Sequence, residues 1–298
     1  MKRALFTLFT VISFQAHALE WKQSFEEGVF QSQEEKKPLL LFFTASDWSG
    51  WSMKFKDDVL DSDAFKEKIG ESFICVEIDS PLHAPPAPEK ERFSVDEFPT
   101  LLLLAPDQKE IARFGYLPMS GEQLAHDLLF VVAQDQDLSY LLNLLTRGER
   151  TQTILKKAYD LAQELCAQEA IDQVLDYGIE SKEPGFYLVE KYRRTLDLGL
   201  KKSIEESGDV ELLYNVALID FQASPTKIAP LEHFLEMHGE KVQKHRWQLE
   251  MMIAQFYLEK GDAEQALEHA EIAEESAPRS RVDEITRFSQ IVSEKAPL

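Results

Sequence analysis

The pattern of hydrophobic and polar positions alternates between helical and strand-like spacing over the first 120 residues. Apolar runs such as Leu39–Thr44 are typical of strands buried on both faces, and stretches with apolar residues three and four apart predict helices. The predicted elements are a helix over 24–33, a strand over 39–44, helices over 49–60 and 62–69, and strands over 73–79, 100–105 and 110–116. The helix-separated strands favour parallel pairing, and the short turn at Pro106 predicts an antiparallel hairpin. We expect the proline-rich loop over 81–88 to hold no helix.

The pattern changes after Pro118, where strand signals almost cease and apolar residues recur at helical spacing. Glycine and proline breaks divide this part into segments that are typical of helical hairpins. The sequence therefore predicts an α/β domain over residues 19–135 and an all-α domain over residues 136–298.

Residues 1–18 have the three parts of a secretory signal peptide. Lys2 and Arg3 form the positive start, an apolar stretch follows, and Ala16-His17-Ala18 is a typical cleavage site. The alternative is a buried N-terminal strand. With cleavage after Ala18, we expect a periplasmic or secreted protein that is not inserted in a membrane, because the apolar stretch is too short to span a bilayer.

The chain is strongly acidic, with a formal net charge of -21 and a sequence pI near 4.8. This charge repels phosphate backbones and anionic lipids, so it argues against nucleic-acid binding. Seven histidines and two cysteines show no spacing typical of metal ligands, and the sequence predicts neither a metal nor a cofactor. Cys75 and Cys166 are interpreted as two buried free thiols, with a disulfide between them as the alternative.

Three segments together resemble the thioredoxin superfamily, most closely its periplasmic disulfide reductase and isomerase branch. Residues 42–52 (Phe-Phe-Thr-Ala-Ser-Asp-Trp-Ser-Gly-Trp-Ser) resemble the active-site segment, in which W-C-x-W-C follows a buried strand. Residues 98–103 (Phe-Pro-Thr-Leu-Leu-Leu) resemble the cis-proline segment, and residues 106–116 resemble the closing hairpin. The resemblance covers residues 20–133 and implies a thioredoxin-like fold for the first domain.

The sequence departs from this family at the two redox positions, where Ser49 and Ser52 replace cysteine. Dithiol chemistry needs a thiolate at the helix N-terminus to attack a disulfide and a second cysteine to resolve the mixed disulfide. A serine hydroxyl performs neither step. Phe43 also stands where many thioredoxins carry a buried acid, and Cys75 lies mid-strand, where we expect an inert thiol. The resemblance therefore implies a redox-inactive domain with no catalytic residue.

Two other interpretations of Ser49 remain open. As a hydrolase nucleophile it would need a base, for which His83 is the only candidate between Ala18 and Tyr116. As a helix N-cap it would accept a hydrogen bond from the first turn, with Ser52 an ordinary first-turn polar residue. A double Cys→Ser variant of an active enzyme would have the same sequence.

The resemblance also implies a groove that binds an extended peptide by strand addition. In this sequence Trp48, Gly50, Trp51, Phe98 and Pro99 would line it. Exposed tryptophans are costly unless they bind a partner. The alternative is that both tryptophan side chains pack on their own domain.

Residues 250–278 resemble one tetratricopeptide repeat. The matching positions are Ala254, Tyr257, Gly261, Ala266, Ala273 and Pro278. One repeat is fewer than the three that usually form a stable array, so the predicted domain is a helical-hairpin domain that is tetratricopeptide-like at its end. It would dock a partner, or it would be a cap that only packs. We expect His233, His238, His245 and His269 to be surface residues.

Three hypotheses of function follow. The first is an exported, non-catalytic protein of the cell envelope that binds polypeptide clients or other envelope proteins; no oligomeric state is predicted. The second is a periplasmic thiol-disulfide oxidoreductase or isomerase. The third is a structural role, in which the first domain only supports the helical one.

Overall fold

The computed structural model describes residues 19–85 and 87–295, so the predicted signal peptide and its cleavage site lie outside the described residues. The chain divides into two compact units, Met1–Arg147 with Lys157–Gln168 and Gly148–Lys156 with Glu169–Leu298. Within the described ranges, no helix combines the length and the apolar composition that a membrane span requires.

The first unit is built around a five-stranded mixed sheet in the order β1-β3-β2-β4-β5. Its elements are β1 (Trp21–Lys22), α1 (Phe25–Glu35), β2 (Leu39–Thr44), α2 (Gly50–Phe55), a π-helical turn (Lys56–Leu60), α3 (Asp63–Ile69), β3 (Ile74–Asp79), α4 (Pro88–Arg92), β4 (Thr100–Leu104), β5 (Glu110–Phe114) and α5 (Gly121–Thr146). Strands β2 and β3 are parallel, and β4 is antiparallel to both β2 and β5. The predicted parallel pair and the predicted hairpin are therefore confirmed.

Strand β2 is apolar from Leu39 to Phe43 because helices cover both faces of the sheet. Leu40 and Phe42 point into one hydrophobic core, which also contains Phe55 of α2. Leu41 and Phe43 point into the second core, together with Phe25 of α1. This alternation follows from the two-residue period of a strand, and it explains why β2 shows no polar face.

Two details of the first unit differ from the sequence-based prediction. The loop over 81–88 was expected to hold no helix, but α4 begins at its last proline. Proline is accepted at the first helical position because the N–H it lacks has no intrahelical partner there. The edge strand β1 is only two residues long and pairs with β3 at Cys75 and Val76, so it leaves too short a pattern to predict.

Helix α5 is continuous over Gly121–Thr146 and begins at a capping box formed by Ser120 and Gln123. The domain boundary placed between residues 135 and 136 falls inside this helix and stays a prediction. The rest of the described chain is helical, as predicted. The helices are α6 (Gln152–Glu164), α7 (Gln168–Ile179), α8 (Gly185–Thr195), α9 (Leu198–Ser207), α10 (Val210–Ala223), α11 (Ala229–His238), a 3-10 turn (Gly239–Lys241), α12 (Gln243–Lys260), α13 (Ala263–Ser276) and α14 (Arg279–Lys295).

Helices α12 and α13 form a tight hairpin at the predicted tetratricopeptide-like segment. Gly261 ends α12 with a φ of 82°, and the Asp262 side chain caps α13 by accepting from Gln265 N at 3.1 Å. Ala254, Ala266 and the other small residues of the interface are buried, which lets the two helices approach closely. The hairpin is confirmed, and its relation to tetratricopeptide repeats stays a prediction.

The same hairpin encloses a buried charged cluster. Glu250 of α12 is 3% exposed, and its carboxylate lies 2.7 Å from Nδ1 of His269 and 3.3 Å from Nε of Arg246. The imidazole of His269 also stacks on the ring of Tyr257. The expectation that His269 is a surface residue was therefore wrong, because a buried carboxylate requires a partner that can donate to it.

His245 was also expected at the surface and is mostly covered. Its ring stacks on Tyr214 at 4.5 Å, and its Nε2 lies 3.2 Å from the Glu211 carboxylate. Nδ1 of His238 is buried as well. Sequence spacing misses these positions, because the partners of the two stacked histidines are on neighbouring helices.

Candidate functional site

The segment after β2 places Ser49 at the start of α2. Ser49 N donates to the carbonyl of Ala45 at 2.9 Å, which forms the turn. The Ser49 backbone is extended, and its Oγ accepts from Ser52 N at 3.2 Å. Ser49 is therefore an N-cap, as one of the two interpretations predicted. His83, the candidate base of the other, is exposed in the loop after β3.

Ser52 does not have the environment that the sequence suggested. It was expected to be an ordinary polar residue of the first turn, but it is 0% exposed, and its Oγ has no hydrogen-bond partner. Ser52 and Phe55 are three positions apart, so both face the core beneath α2. A small, weakly polar side chain such as cysteine would suit this position better than a hydroxyl, since burying an unpaired hydroxyl is costly.

Trp48 lies in the turn before α2 and makes two contacts with other parts of the domain. Its Nε1 donates to the carbonyl of Ser80 at 3.0 Å, and its ring meets Phe98 edge-on with centroids 5.8 Å apart. The side chain nevertheless remains 48% exposed. The contact joins two of the predicted groove residues that are fifty positions apart in the sequence.

Trp51 points to a different neighbour. Its ring packs against Tyr116, just after β5, with centroids 4.7 Å apart, and it is 59% exposed. Both tryptophans therefore have one ring contact within the domain, as the packing alternative expects, and both stay partly exposed. The peptide groove that they would line stays a prediction. Sequence reasoning missed Tyr116, although its place in the Phe-Gly-Tyr segment of the predicted hairpin could have suggested it.

The Phe98–Pro99 peptide bond is cis, as the resemblance implies. Pro99 is buried, and Thr100 Oγ1 donates to the carbonyl of Glu97 at 2.8 Å, which closes this turn. The ammonium of Lys90 lies 5.2 Å from the ring centroid of Phe98, on the side of α4.

Gly50, the remaining predicted groove residue, has open space around it, since a Cβ there would meet nothing within 4 Å.

Two aspartates that the sequence analysis did not single out fix the turn that carries Trp48. Asp79, at the end of β3, accepts from both Ser46 N and Ser46 Oγ, at 2.9 and 2.5 Å. The carboxylate of Asp47 accepts from the backbone N of Leu82 at 3.2 Å. The turn before α2 is therefore tied to the segment that follows β3.

A charged pair joins the π-helical turn after α2 to the sheet. Lys56 Nζ contacts both carboxylate oxygens of Glu77 on β3, at 2.6 and 2.7 Å, and the Glu77 side chain is only 11% exposed. The ammonium of Lys56 therefore offsets the charge of the mostly buried Glu77 carboxylate. None of the contacts described for Ser49 and Ser52 is with a charged group.

The two cysteines are both free and differ in environment. Cys75 is buried on β3, and burial raises the pKa of its thiol well above the ordinary range, which keeps it neutral and unreactive. Cys166 is exposed after α6, so the interpretation of two buried thiols was wrong for this residue. Within residues 19–85 and 87–295, no group of three or more His, Cys, Asp and Glu side chains is arranged to hold a metal ion.

The mixed sheet, the turn before α2 and the cis-proline segment together define a thioredoxin-like protein. A family model described as thioredoxin-like matches residues 20–106. The chain is 30% identical over 319 residues to the thioredoxin-related protein DsbJ of Chlamydia pneumoniae, and the match covers 96% of this chain and 91% of that protein. The chain belongs to the family of this thioredoxin-related protein.

Other similar proteins match a smaller share of the chain. The disulfide bond reductase DsbH of Chlamydia pneumoniae is 35% identical over 111 residues, which cover 35% of this chain and 66% of that protein. A solved structure titled DsbH oxidoreductase is 28% identical, with a TM-score of 0.37, and covers 44% of this chain and 95% of that chain. A thioredoxin from Thermus thermophilus is 17% identical, with a TM-score of 0.33, over 39% and 89% of the two chains.

Proposed function

We propose that this thioredoxin-like protein is exported to the cell envelope and binds polypeptides there without catalysing thiol-disulfide exchange. The observation that carries the proposal is the state of the two redox positions. The Ser49 hydroxyl serves as the cap of α2, and the Ser52 hydroxyl is buried without a partner. Neither position supplies a nucleophile that forms a reversible bond to sulfur.

The surface around these serines supports a binding role. Trp48 and Trp51 are 48% and 59% exposed. Trp48 lies on a turn that several hydrogen bonds hold in place, and Trp51 lies in the first turn of α2. Rigid aromatic side chains of this kind are frequent anchors in polypeptide interfaces, because little conformational entropy is lost when they are covered. By its resemblance to the family, the segment before Pro99 would offer backbone groups for strand addition.

Export is supported by the sequence of residues 1–18, with its basic start and its Ala16-His17-Ala18 site. The alternative function is thiol-disulfide reduction, the activity after which the relative DsbH, a disulfide bond reductase, is named. The two serines oppose it here. Cys75 does not replace them, because burial raises its pKa and keeps it from solvent.

A turbidity assay of insulin reduction by dithiothreitol tests the non-catalytic part. We expect the full chain to leave the rate at that of buffer, and the Ser49→Cys/Ser52→Cys variant to accelerate it, because cysteine restores the nucleophile and the resolving thiol. Acceleration by the unmodified chain would show that the protein is an enzyme and refute the proposal.

Binding is tested separately with fluorescently labelled, carboxymethylated lactalbumin, an unfolded polypeptide without free thiols. We expect the full chain to bind it and Trp51→Ala to raise the Kd by about tenfold, as for a central aromatic anchor. Tyr140→Ala is the matched control, since Tyr140 is 65% exposed on α5. Equal binding by Trp51→Ala and the unmodified chain would contradict the assignment of this surface.

A further inference from the structure

Another aromatic side chain is exposed on the opposite side of the first unit's sheet, on helix α1. Gly28 faces β3 so closely that a Cβ there would lie 2.3 Å from Cγ2 of Val76. A residue two positions further along a helix points about 200° away. Phe30 is therefore directed outward, and it is 67% exposed, the most of any phenylalanine among the exposed hydrophobic side chains described.

Two surface cavities flank Phe30, and its ring forms part of the wall of both. The first has a volume of about 490 Å³, with an apolar floor of Phe25, Val29 and Pro88. The second has a volume of about 560 Å³ and runs along α1 beside Lys22. An apolar side chain inserted into either cavity would cover the phenyl ring. We call α1 around Phe30, with these two cavities, the Phe30 face.

The charge at the Phe30 face is negative. The charged residues that line the two cavities are the carboxylates Glu26, Glu27, Glu34 and Glu89 and the cations Lys22 and Arg92. The guanidinium of Arg92 is already engaged, because it lies 5.2 Å from the ring centroid of Phe25 and donates to Gln108 Oε1 at 2.8 Å. A partner that meets this face therefore gains from carrying positive charge.

We propose that the Phe30 face is a docking surface for a basic polypeptide segment, in which a bulky apolar side chain is flanked by lysine or arginine. The apolar side chain packs on Phe30 in one of the cavities, and its basic neighbours meet the glutamates. A cation over the open face of the ring adds to the attraction. A second copy of this chain suits the face less well, because each copy carries a formal net charge of -21. The assignment uses neither Ser49 nor the surface around Pro99.

The test measures binding of a fluorescein-labelled synthetic peptide of alternating arginine and leucine to the full chain, by anisotropy at physiological salt. We expect Phe30→Ala to raise the Kd by about tenfold or more, since it removes the aromatic anchor. Phe130→Ala is the matched control, because Phe130 is 55% exposed on α5, and it is expected to bind as the unmodified chain does. The double variant Phe30→Ala/Trp51→Ala is compared with each single variant, and a loss of affinity from Phe30→Ala that is the same with Trp51 present or absent separates the Phe30 face from the surface under Proposed function.

Charge and occupant are tested by two further measurements. Glu27→Gln combined with Glu34→Gln is expected to weaken binding and to reduce its dependence on salt, because exposed charges are screened by salt. Equal affinity of Phe30→Ala and the unmodified chain would overturn the proposal. It would also be overturned if sedimentation of the chain alone showed a dimer that Phe30→Ala dissociates, because the occupant would then be a second copy.

Discussion

Replacing the two serines of α2 by alanine, one at a time, should change the stability of the first unit in opposite directions. Ser49→Ala removes the side-chain oxygen that accepts from Ser52 N at 3.2 Å. Ser52→Ala removes a hydroxyl that is 0% exposed and has no partner. The two residues are three positions apart and equal in chemistry, so the contrast depends only on their environments.

The expected magnitudes follow from these environments. Loss of a serine N-cap lowers the free energy of unfolding by about 1 kcal/mol. Removing a buried unpaired hydroxyl recovers part of a desolvation cost of about 1–3 kcal/mol, and alanine also has the higher helix propensity, by roughly 0.5 kcal/mol. We therefore expect Ser52→Ala to raise the free energy of unfolding by about 1 kcal/mol, so that the two variants differ by about 2 kcal/mol.

Urea unfolding of the full chain, followed by tryptophan fluorescence, measures both values. Three of the four tryptophans lie in the first 51 residues, so the signal reports mainly on the first unit. Ser62→Ala is the matched control for capping, because Ser62 caps α3 in the same way and its Oγ also donates to Val59 O. It should destabilise the protein at least as much as Ser49→Ala.

The reasoning would be refuted if Ser52→Ala lowered the free energy of unfolding by 1 kcal/mol or more. That result would mean that the Ser52 hydroxyl has a hydrogen-bond partner in solution. The conclusion that cysteine would suit position 52 better than serine would then be wrong.

Two further outcomes follow from the buried groups. His269→Ala should lower the free energy of unfolding by about 2 kcal/mol, because it leaves the carboxylate of Glu250 buried with one partner fewer. Urea unfolding measures this change, and replacement of the exposed His126 by alanine is the control. Ellman's reagent at pH 8 should titrate Cys166 alone in the folded protein and both thiols in urea. Since burial raises the pKa of Cys75, its thiol favours folding below the ordinary thiol pKa of about 8.5, and stability should fall as the pH rises above that value. Rapid titration of two thiols without urea would contradict this.

The sequence predicted most of the fold of the first unit because its elements have strong local signals. The apolar run of β2, the Pro106 turn and the proline of the cis segment each carry a pattern that tertiary structure does not override. The two-residue β1 could not be predicted, because pairing with β3 and not its own composition makes it a strand. The start of α4 at Pro88 was missed for a related reason, since five residues are too few to show helical spacing.

Sequence reasoning predicted only the local features of the candidate site. Capping by Ser49 is a local property and was predicted. The burial of Ser52 and the contact between Trp51 and Tyr116 depend on how α2 lies on the sheet, which no spacing along the chain encodes. The same holds for His269 and Glu250, which lie 19 positions apart and meet because two helices fold back on each other.

The bonds between the turn before α2 and the segment after β3 have a mechanical consequence. Hydrogen bonds from Trp48 Nε1 to Ser80 O, from Ser46 to Asp79 and from Leu82 N to Asp47 join the turn before α2 to the end of β3 and the residues that follow it. While these hydrogen bonds persist, neither segment can move away from the other. We therefore expect both segments to unfold locally together. Their amide protons should therefore exchange as one cooperative group. A ligand that binds at these residues would lose little conformational entropy, because folding has already ordered them.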